Sequence, residues 1–344
     1  MPELVRRHGR VLAPLVAAIV AAAVVAGVLL ATGSTSASTT GSGAVTTGLA
    51  LQGAIVEVVR SVSPSVVQIE DQTGLGSGVV LDSAGYIVTN HHVVTGAHSL
   101  TVTTSEGKRY PAKLVGSFPP DDLAVIKVSG AHLKPATFAD SSKLQVGDLA
   151  IAIGNPLGLR SSVTEGIVSA FRQAVQEGNN VTLPSVIQTS AAINPGNSGG
   201  ALVDIEGRVI GIPTLAATDP QLGGGSAPGI GFAIPSNLAK DIAGQIVAHG
   251  KVVNSHRAYL GIRVGMTQRG LYVGSVNKGE PAADAGIHVG DVIVSVDSTP
   301  TPTTDVLSSV LAELKPGQKV PVVVRSQSGR RTTLHVTLGT YPAT

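Results

Sequence analysis

The stretch Asn194–Gly200, Asn-Pro-Gly-Asn-Ser-Gly-Gly, is the part of the sequence that best indicates the fold, because it sets one serine in a glycine-rich turn between apolar runs. A serine hydroxyl becomes a nucleophile when a base takes its proton and backbone N–H groups stabilise the oxyanion that forms. Glycines on both sides of Ser198 permit the backbone shape that such a turn needs. Taken alone, the stretch also fits an ordinary glycine-rich turn.

Two further motifs supply partners for Ser198. The run Thr89–Val94 (Thr-Asn-His-His-Val-Val) follows a β-rich segment, so it puts an imidazole at a strand end. Asp121 and Asp122 come directly before another β-rich segment, Leu123–Val128. The order His, Asp, Ser is one of those in which a catalytic triad recurs. The chain has no Cys, which excludes a thiol nucleophile, a disulfide framework and a thiolate-bound metal.

The spacing of apolar residues predicts two folded modules. Short β-rich runs separated by Gly, Pro, Asn and Asp fill residues 53–235, a pattern typical of an all-β barrel or sandwich. Apolar residues then recur every four positions up to Gly250, which predicts a helix that closes this module. Residues 257–340 contain further strand-like runs and two helical stretches, and they predict a second, smaller β-rich module.

The amino-terminal segment indicates the compartment. Val11–Leu30 is an uncharged apolar run of the length that a helix needs to cross a bilayer. Arg6, Arg7 and Arg10 precede it, so the positive-inside rule places residues 1–10 in the cytoplasm and the modules outside. Small residues after the run leave signal-peptide cleavage open, although its length favours a retained anchor. Residues 31–52, rich in Ser, Thr and Gly, predict a flexible linker.

Charge and motif spacing argue against several other classes of protein. The net charge is +2, and the first ten residues account for all of it, so the rest is neutral and lacks the field of a nucleic-acid binder. His91 and His92 are adjacent, and strand geometry would turn them to opposite faces, so no metal site is expected. The glycine-rich run 74–78 leads into a strand rather than a helix, which argues against a phosphate loop.

These motifs together resemble the HtrA (DegP/DegS-like) family of serine proteases. Thr-Asn-x-His-Val, Asp-Leu-Ala and Gly-Asn-Ser-Gly-Gly-Ala-Leu occur in family order, followed by Gly-Phe-Ala-Ile-Pro-Ser and Tyr-Leu-Gly-Ile. The resemblance implies a mainly β fold, with a trypsin-like double β-barrel protease domain at 53–250 and a PDZ domain at 257–340. It covers nearly all of the chain after the linker.

The resemblance also implies roles for individual residues. His92 would be the general base, Asp122 the orienting carboxylate and Ser198 the nucleophile, with the N–H groups of Gly196 and Ser198 as the oxyanion hole. His91 would be a variable neighbour and Asp121 a surface neighbour. Ser190 departs from the family pattern, which often has Asp there. No cofactor and no metal are expected.

Two binding regions follow from the same resemblance. The primary pocket would be lined by Ala192, Ile193 and the run 212–217, none of them charged, which predicts cleavage after Val, Ala or similar side chains. Tyr259, Leu260, Gly261 and Ile262 would form the PDZ loop that holds a peptide carboxylate. The helix predicted at 304–314 would flank that groove, although most of its apolar residues are expected simply to pack in the core.

The resemblance implies an ATP-independent endoprotease for quality control and stress response outside the cytoplasm. Its expected partners are unfolded polypeptides, C-terminal peptides at the PDZ domain, the membrane and two further copies in a homotrimer. The alternative is a PDZ-based binding module or holdase in which proteolysis is latent. The intact set of Ser198, His92 and Asp122 argues against that alternative.

Overall fold

The computed structural model describes residues 40–72, 74–155, 162–177, 181–194, 196–219, 225–268 and 270–342. Contacts divide the chain into one unit over Met1–Gly53 and another over Ala54–Thr344. The predicted membrane helix, 11–30, lies outside the described residues. Among the residues that are described, none of the helices combines the length and apolar character that crossing a bilayer requires.

Within the described ranges the structure has helices and strands that we number in chain order. The helices are α1 Thr40–Val62, α2 His91–Val94, α3 Ser236–His249, α4 Pro281–Asp284 and α5 Thr304–Glu313. The strands are β1 Val66–Glu70, β2 Leu75–Val80, β3 Tyr86–Thr89, β4 Leu100–Thr103, β5 Arg109–Phe118, β6 Leu123–Val128, β7 Leu149–Gly154, β8 Ser162–Glu177, β9 Val181–Thr189, β10 Ala201–Val203, β11 Val209–Asp219, β12 Gly225–Pro235, β13 Ala258–Tyr259, β14 Ile262–Thr267, β15 Gly270–Val276, β16 Val292–Val296, β17 Thr299–Pro300, β18 Lys319–Arg325, β19 Arg331–Thr337 and β20 Gly339–Thr340.

Two closed antiparallel barrels form the first module. The first barrel has the strand order β1-β2-β3-β6-β5-β4, and the second has β10-β11-β12-β9-β8-β7. Closure leaves neither sheet with an unpaired edge. The predicted double β-barrel is therefore confirmed.

Strand β6 shows why these short runs are apolar on both faces. Its side chains alternate, so Leu123 and Val125 enter a core shared by both barrels, while Ala124, Ile126 and Val128 fill the interior of the first barrel. Strand β7 follows the same rule in the second barrel. Side chains of α3 close the shared core. The site described below lies at the strand ends that this packing holds together.

Helix α1 overlaps the predicted flexible linker. Residues 40–52 of that segment are helical in the structure, while 31–39 lie outside the described residues. Val58 and Val62, four residues apart, are buried in the shared core of the barrels, with Ile55 and Val59 partly buried beside them. Helix growth is cooperative once a turn exists, so a helix held by buried residues at one end extends through a segment of poor composition.

The second module is an open antiparallel sheet flanked by helices. Its strand order is β14-β15-β16-β18-β19, so β14 is an edge strand, and β13 pairs separately with β20. In α5 only Leu307 is fully buried, and Val310, Leu311 and Leu314 pack partly against the module's core. Helix α5 also packs against β8 and β9 of the second barrel. The predicted small β-rich module with two helical stretches is confirmed.

Candidate active site

Strand pairing brings the predicted histidine and aspartate together. Strands β3 and β6 are antiparallel neighbours, with Thr89 opposite Ala124. His92 lies in the helical turn α2 directly after β3, and Asp122 lies directly before β6. Both residues therefore sit at one rim of the first barrel. The expectation that His91 and His92 lie on a strand is wrong, because the chain turns helical at His91.

Asp122 holds His92 through two hydrogen bonds. His92 Nδ1 is 2.8 Å from Asp122 Oδ2, and the His92 backbone N–H donates to Asp122 Oδ1 at 3.0 Å. The hydroxyl of Thr214, a buried residue, donates to Asp122 Oδ2 at 2.7 Å. A carboxylate accepts only, so Nδ1 carries the hydrogen and the lone pair of His92 is on Nε2.

The backbone of Asp122 is held as firmly as its side chain. Asp122 follows a 3-10 turn at Pro119–Asp121 and adopts a left-handed conformation, with φ 49° and ψ 42°. Its carbonyl accepts from the His91 N–H at 3.1 Å and from Asn90 Nδ2 at 3.0 Å. Non-glycine residues in this region persist only when their surroundings hold them there.

The turn around Ser198 is anchored to both barrels. Ser198 Oγ donates to the Thr214 carbonyl at 3.0 Å, and the Ser198 carbonyl accepts from the Ser77 N–H at 3.0 Å. Gly199 has φ 78°, and a Cβ there would collide with the Ser77 carbonyl and with the Thr89 hydroxyl. Glycine is therefore required after Ser198 by both conformation and space.

Two backbone amides of this turn fit the predicted oxyanion hole. Gly196 has φ 104°, and the Asn197 N–H donates to the Asn194 carbonyl at 3.1 Å. Within the described ranges, the N–H groups of Gly196 and Ser198 donate to no protein acceptor. An oxyanion hole needs donors of this kind, which are held in place and not already used.

Ser77 is a site residue that the sequence analysis missed. It is fully buried, its hydroxyl donates to the Gly196 carbonyl at 2.5 Å, and the same oxygen accepts from the Asn155 N–H at 2.8 Å. The first bond holds the Gly196 peptide from the first barrel. No motif marked Ser77, which lies in a run interpreted only as strand-entry glycines.

Substitution Ser77→Ala is expected to lower kcat with little change in KM. It removes one of the two hydrogen bonds that hold the Gly196–Asn197 peptide group, the other being from the Asn197 N–H to the Asn194 carbonyl. Loss of one oxyanion donor costs about 10²–10³ in rate, so a small displacement of the neighbouring donors should cost about tenfold. Steady-state cleavage of a fluorogenic peptide measures the effect. Ser83→Ala, at an exposed turn, is the control. An unchanged kcat for Ser77→Ala would show that the nucleophile turn does not depend on this bond.

His91 and Asp121 directly precede His92 and Asp122 in the sequence, and Asp121 does not lie where it was expected. His91 Nε2 is 2.9 Å from Thr95 Oγ1, and burial lowers the pKa of His91. Asp121 was expected at the surface, but it is fully buried and lies 2.6 Å from Arg257 Nη1. Burial raises the pKa of Asp121, and Arg257 opposes that shift. The surface expectation is wrong because it could not include a cation so distant in sequence.

The predicted pocket residues lie beside the nucleophile turn but in different environments. Ala192 is exposed, and its carbonyl accepts from Thr164 Oγ1 at 2.8 Å and Asn197 Nδ2 at 3.1 Å. Ile193 is buried in the core of the second barrel. Ser190 Oγ accepts from the Ile167 N–H at 3.0 Å, so the departure at this position has a local hydrogen bond. Their role in a pocket stays a prediction.

The predicted peptide loop leads directly into the edge strand of the second module. The Tyr259 hydroxyl accepts from Asn277 Nδ2 at 3.0 Å, and Leu260 is buried. Gly261 has φ 79°, and a Cβ there would collide with Glu280. Ile262 is the first residue of β14. This arrangement leaves the free edge of β14 in line with the loop, as strand addition by a peptide requires.

Comparisons with known proteins agree with both modules. The trypsin-like peptidase domain model matches residues 76–212, and the PDZ domain model matches residues 258–338. Serine endoprotease DegS of Escherichia coli K12 is 40% identical over 291 residues, which cover 80% of this chain and 79% of that protein. The Do-like protease HtrA of Lactococcus lactis is 45% identical over 262 residues, which cover 68% of this chain.

The chain is shorter than some of these relatives. It spans 64% of the length of the Lactococcus protein and 54% of a probable periplasmic DegP-like endoprotease of Chlamydia muridarum. A solved structure, the HtrA-type protease AlgW with a decapeptide, is 33% identical, with a TM-score of 0.58 over 83% of this chain and 98% of that one. The barrel pair, the PDZ module and the 40% identity to DegS agree. The chain belongs to the HtrA family of trypsin-like serine endoproteases, and it contains a PDZ domain.

Proposed function

We propose that this protein is a membrane-tethered, ATP-independent serine endoprotease that degrades or processes misfolded proteins outside the cytoplasm. The observation that carries the proposal is a series of hydrogen bonds that connects the three residues: Ser198 donates to Thr214, Thr214 donates to Asp122, and Asp122 holds His92. A binding module without catalysis would not need a buried carboxylate that orients an imidazole.

The proposed mechanism uses each of these groups in turn. Ser198 Oγ attacks the scissile carbonyl carbon while its proton passes to His92 Nε2, and Asp122 stabilises the imidazolium that forms. The N–H groups of Gly196 and Ser198 hold the oxyanion. His92 then protonates the leaving amine. In the second half of the reaction, a water molecule gives a proton to His92 and attacks the acyl-enzyme carbonyl, which releases the acyl product and returns the proton to Ser198. The imidazole of His92 is held before substrate arrives, whereas the Ser198 hydroxyl exchanges its bond to the Thr214 carbonyl for one to His92 Nε2 in the first step.

The proposed specificity is for small or medium aliphatic side chains before the cleaved bond. Ala192 and Ile193 carry no charge, so a Lys or Arg side chain would be buried there without a counter-ion. We propose that the PDZ module binds C-terminal peptides by adding a strand to β14 and thereby regulates cleavage. The AlgW structures solved with a decapeptide and with a tripeptide support binding of peptides by this architecture.

The proposed location follows from the basic residues before the apolar run 11–30. Arg6, Arg7 and Arg10 would keep residues 1–10 in the cytoplasm, and the catalytic and PDZ modules would lie outside. DegQ of Escherichia coli and the DegP-like protein of Chlamydia muridarum are both named as periplasmic endoproteases, which supports this placement. We further propose a homotrimer.

Labelling of the full chain with a fluorophosphonate probe tests the catalytic part of the proposal. We expect an adduct at Ser198, and cleavage of an unfolded protein mainly after aliphatic residues, with a C-terminal peptide changing the rate. Cleavage mainly after Arg or Lys would contradict the specificity. Absence of both label and cleavage would favour the holdase alternative. Protease accessibility in sealed membrane vesicles tests the topology, since digestion of the modules only from the cytoplasmic side would contradict it.

A further inference from the structure

A buried ion pair joins the segment before the PDZ module to the residue before Asp122. Arg257 directly precedes β13, and its Nη1 lies 2.6 Å from Asp121 Oδ1. The side chains of Arg257 and Asp121 are only 13% and 1% exposed. An ion pair with so little exposure is costly to bury, so its position needs a structural or functional reason.

The guanidinium of Arg257 binds three acceptors in two barrels. Besides Asp121, Nη1 donates to the Pro120 carbonyl at 2.5 Å, and Nη2 donates to the Thr182 carbonyl at 2.8 Å. Pro120 and Asp121 belong to the turn that ends at Asp122 in the first barrel, while Thr182 lies in β9 of the second. The planar fork of arginine reaches several acceptors at once, which a lysine ammonium does not match.

Arg257 is itself held by the other end of the PDZ module. The Arg257 carbonyl accepts from the Tyr341 N–H at 2.8 Å, and the Tyr341 carbonyl accepts from Ser255 Oγ at 2.8 Å. The Tyr341 ring packs edge-on against Phe118, with centroids 6.4 Å apart, and against Tyr259 at 5.3 Å. Phe118 immediately precedes the turn Pro119–Asp121, to which Arg257 is hydrogen-bonded. Arg257 and Tyr341, at the two ends of the PDZ module, therefore contact this turn and the residue before it.

We propose that Arg257 is a positioning residue for catalysis. Its hydrogen bonds to Pro120 and Asp121 fix the turn Pro119–Asp121 and thereby hold Asp122 in its left-handed conformation. Asp122 is the residue that orients His92, and its left-handed backbone is less favourable for a non-glycine residue than the right-handed one, so contacts with the turn before it stabilise the position of the carboxylate. The barrels hold Asp122 through its carbonyl and carboxylate, and Arg257 adds a restraint on the preceding turn from the start of the PDZ module. The inference rests on the proposed endoprotease activity, and it adds a residue outside the two barrels to the catalytic apparatus.

The competing explanation is that the Arg257–Asp121 ion pair only stabilises the fold. Steady-state kinetics distinguishes this structural role from a positioning role. A structural role would lower the melting temperature and leave the kcat of folded enzyme unchanged. A positioning role lowers kcat at constant KM, because the misalignment affects the reaction and not substrate binding. His256 is a second ionisable group that acts on Asp121, so the assays are run at one fixed pH.

The test compares full-length variants in detergent, using peptide cleavage and the rate of fluorophosphonate labelling of Ser198. Arg257→Gln is expected to lower kcat and the labelling rate by about 10- to 100-fold, since small misplacements far from the reaction reach about 10². Arg257→Lys should recover part of the loss. Asp121→Asn with Arg257→Gln should be no worse than Arg257→Gln alone, because both act on one turn. Arg331→Gln, exposed on β19, is the matched control.

Several results would overturn the inference. They are an unchanged kcat in Arg257→Lys and Asp121→Asn, a raised KM at constant kcat, and losses that multiply in the double variant. If Arg257→Gln does not fold, Arg257→Lys and Asp121→Asn decide the question. A wild-type chain that neither cleaves nor labels would instead refute the proposed function, so the two failures are distinguishable.

Discussion

Replacing Ser198 by alanine is expected to lower kcat by about 10⁵- to 10⁶-fold, the scale found when a triad nucleophile is removed. The Ser198 hydroxyl oxygen forms the bond to the acyl group, and the chain has no cysteine whose thiol could act as the nucleophile instead. The amides of Gly196 and Ser198 remain, so a residual rate above that of water should persist. Cleavage of an unfolded protein, followed by mass spectrometry of the products, measures the loss.

The Ser198→Ala variant also separates catalysis from binding. The Ser198 hydroxyl donates to the Thr214 carbonyl and is not part of a hydrophobic core cluster, so its removal should leave the fold and the PDZ module unchanged. An exposed serine variant, Ser83→Ala, controls for the handling of the enzyme. Full activity of Ser198→Ala would mean that another residue is the nucleophile, whereas retained biological function without cleavage would favour the holdase alternative.

Replacing Asp122 by asparagine is expected to lower kcat by about 10⁴-fold, the effect known for this change in a serine protease triad. Asp122 Oδ2 accepts from His92 and from Thr214, and Oδ1 accepts from the His92 N–H. An amide has one acceptor atom, so its NH₂ group must face one of these donors. The histidine is then driven to the tautomer in which Nε2 carries the hydrogen and takes no proton from Ser198.

A matched control exists for the Asp122 substitution. Asp297 also has a left-handed backbone, with φ 46°, but it is exposed in the turn between β16 and β17. Asp297→Asn tests whether the change of residue type in this conformation has any effect of its own, and we expect kcat within about twofold of the wild type. Steady-state kinetics on a fluorogenic peptide measure both variants. Equal kcat for Asp122→Asn and the wild type would exclude Asp122 as the orienting carboxylate.

Both large effects concern residues in motifs that are visible in the local sequence, although the choice of His92 over His91 and of Asp122 over Asp121 came from the resemblance to the HtrA family. Ser198 lies in a glycine-rich turn, and His92 and Asp122 lie at the ends of strands whose alternating or continuous apolar pattern is visible without a structure. Most strands of the first barrel were predictable for the same reason, because each is a short apolar run bounded by turn residues. Strands β8 and β9 are not marked by apolar runs of their own, since polar and charged residues interrupt their apolar pattern.

The residues that support the site could not be predicted in this way. Ser77 bonds a carbonyl 119 positions away, Thr214 bonds a carboxylate 92 positions away, and Arg257 pairs with a carboxylate 136 positions away. Each has a side chain that is commonplace on a protein surface, so residue type alone signals nothing. Their partners are defined only by the closure of the barrels and the placement of the PDZ module.

Asp121 and Asp122 show most directly which properties the local sequence determines and which depend on the tertiary structure. Sequence alone determined that one of them precedes a strand next to the histidine, because strand pattern and motif order are local properties. Folding determined that Asp121 is buried against Arg257 while Asp122 faces His92 and Thr214. Hydrogen bonds between distant segments depend on the path of the whole chain, and no local pattern encodes that path.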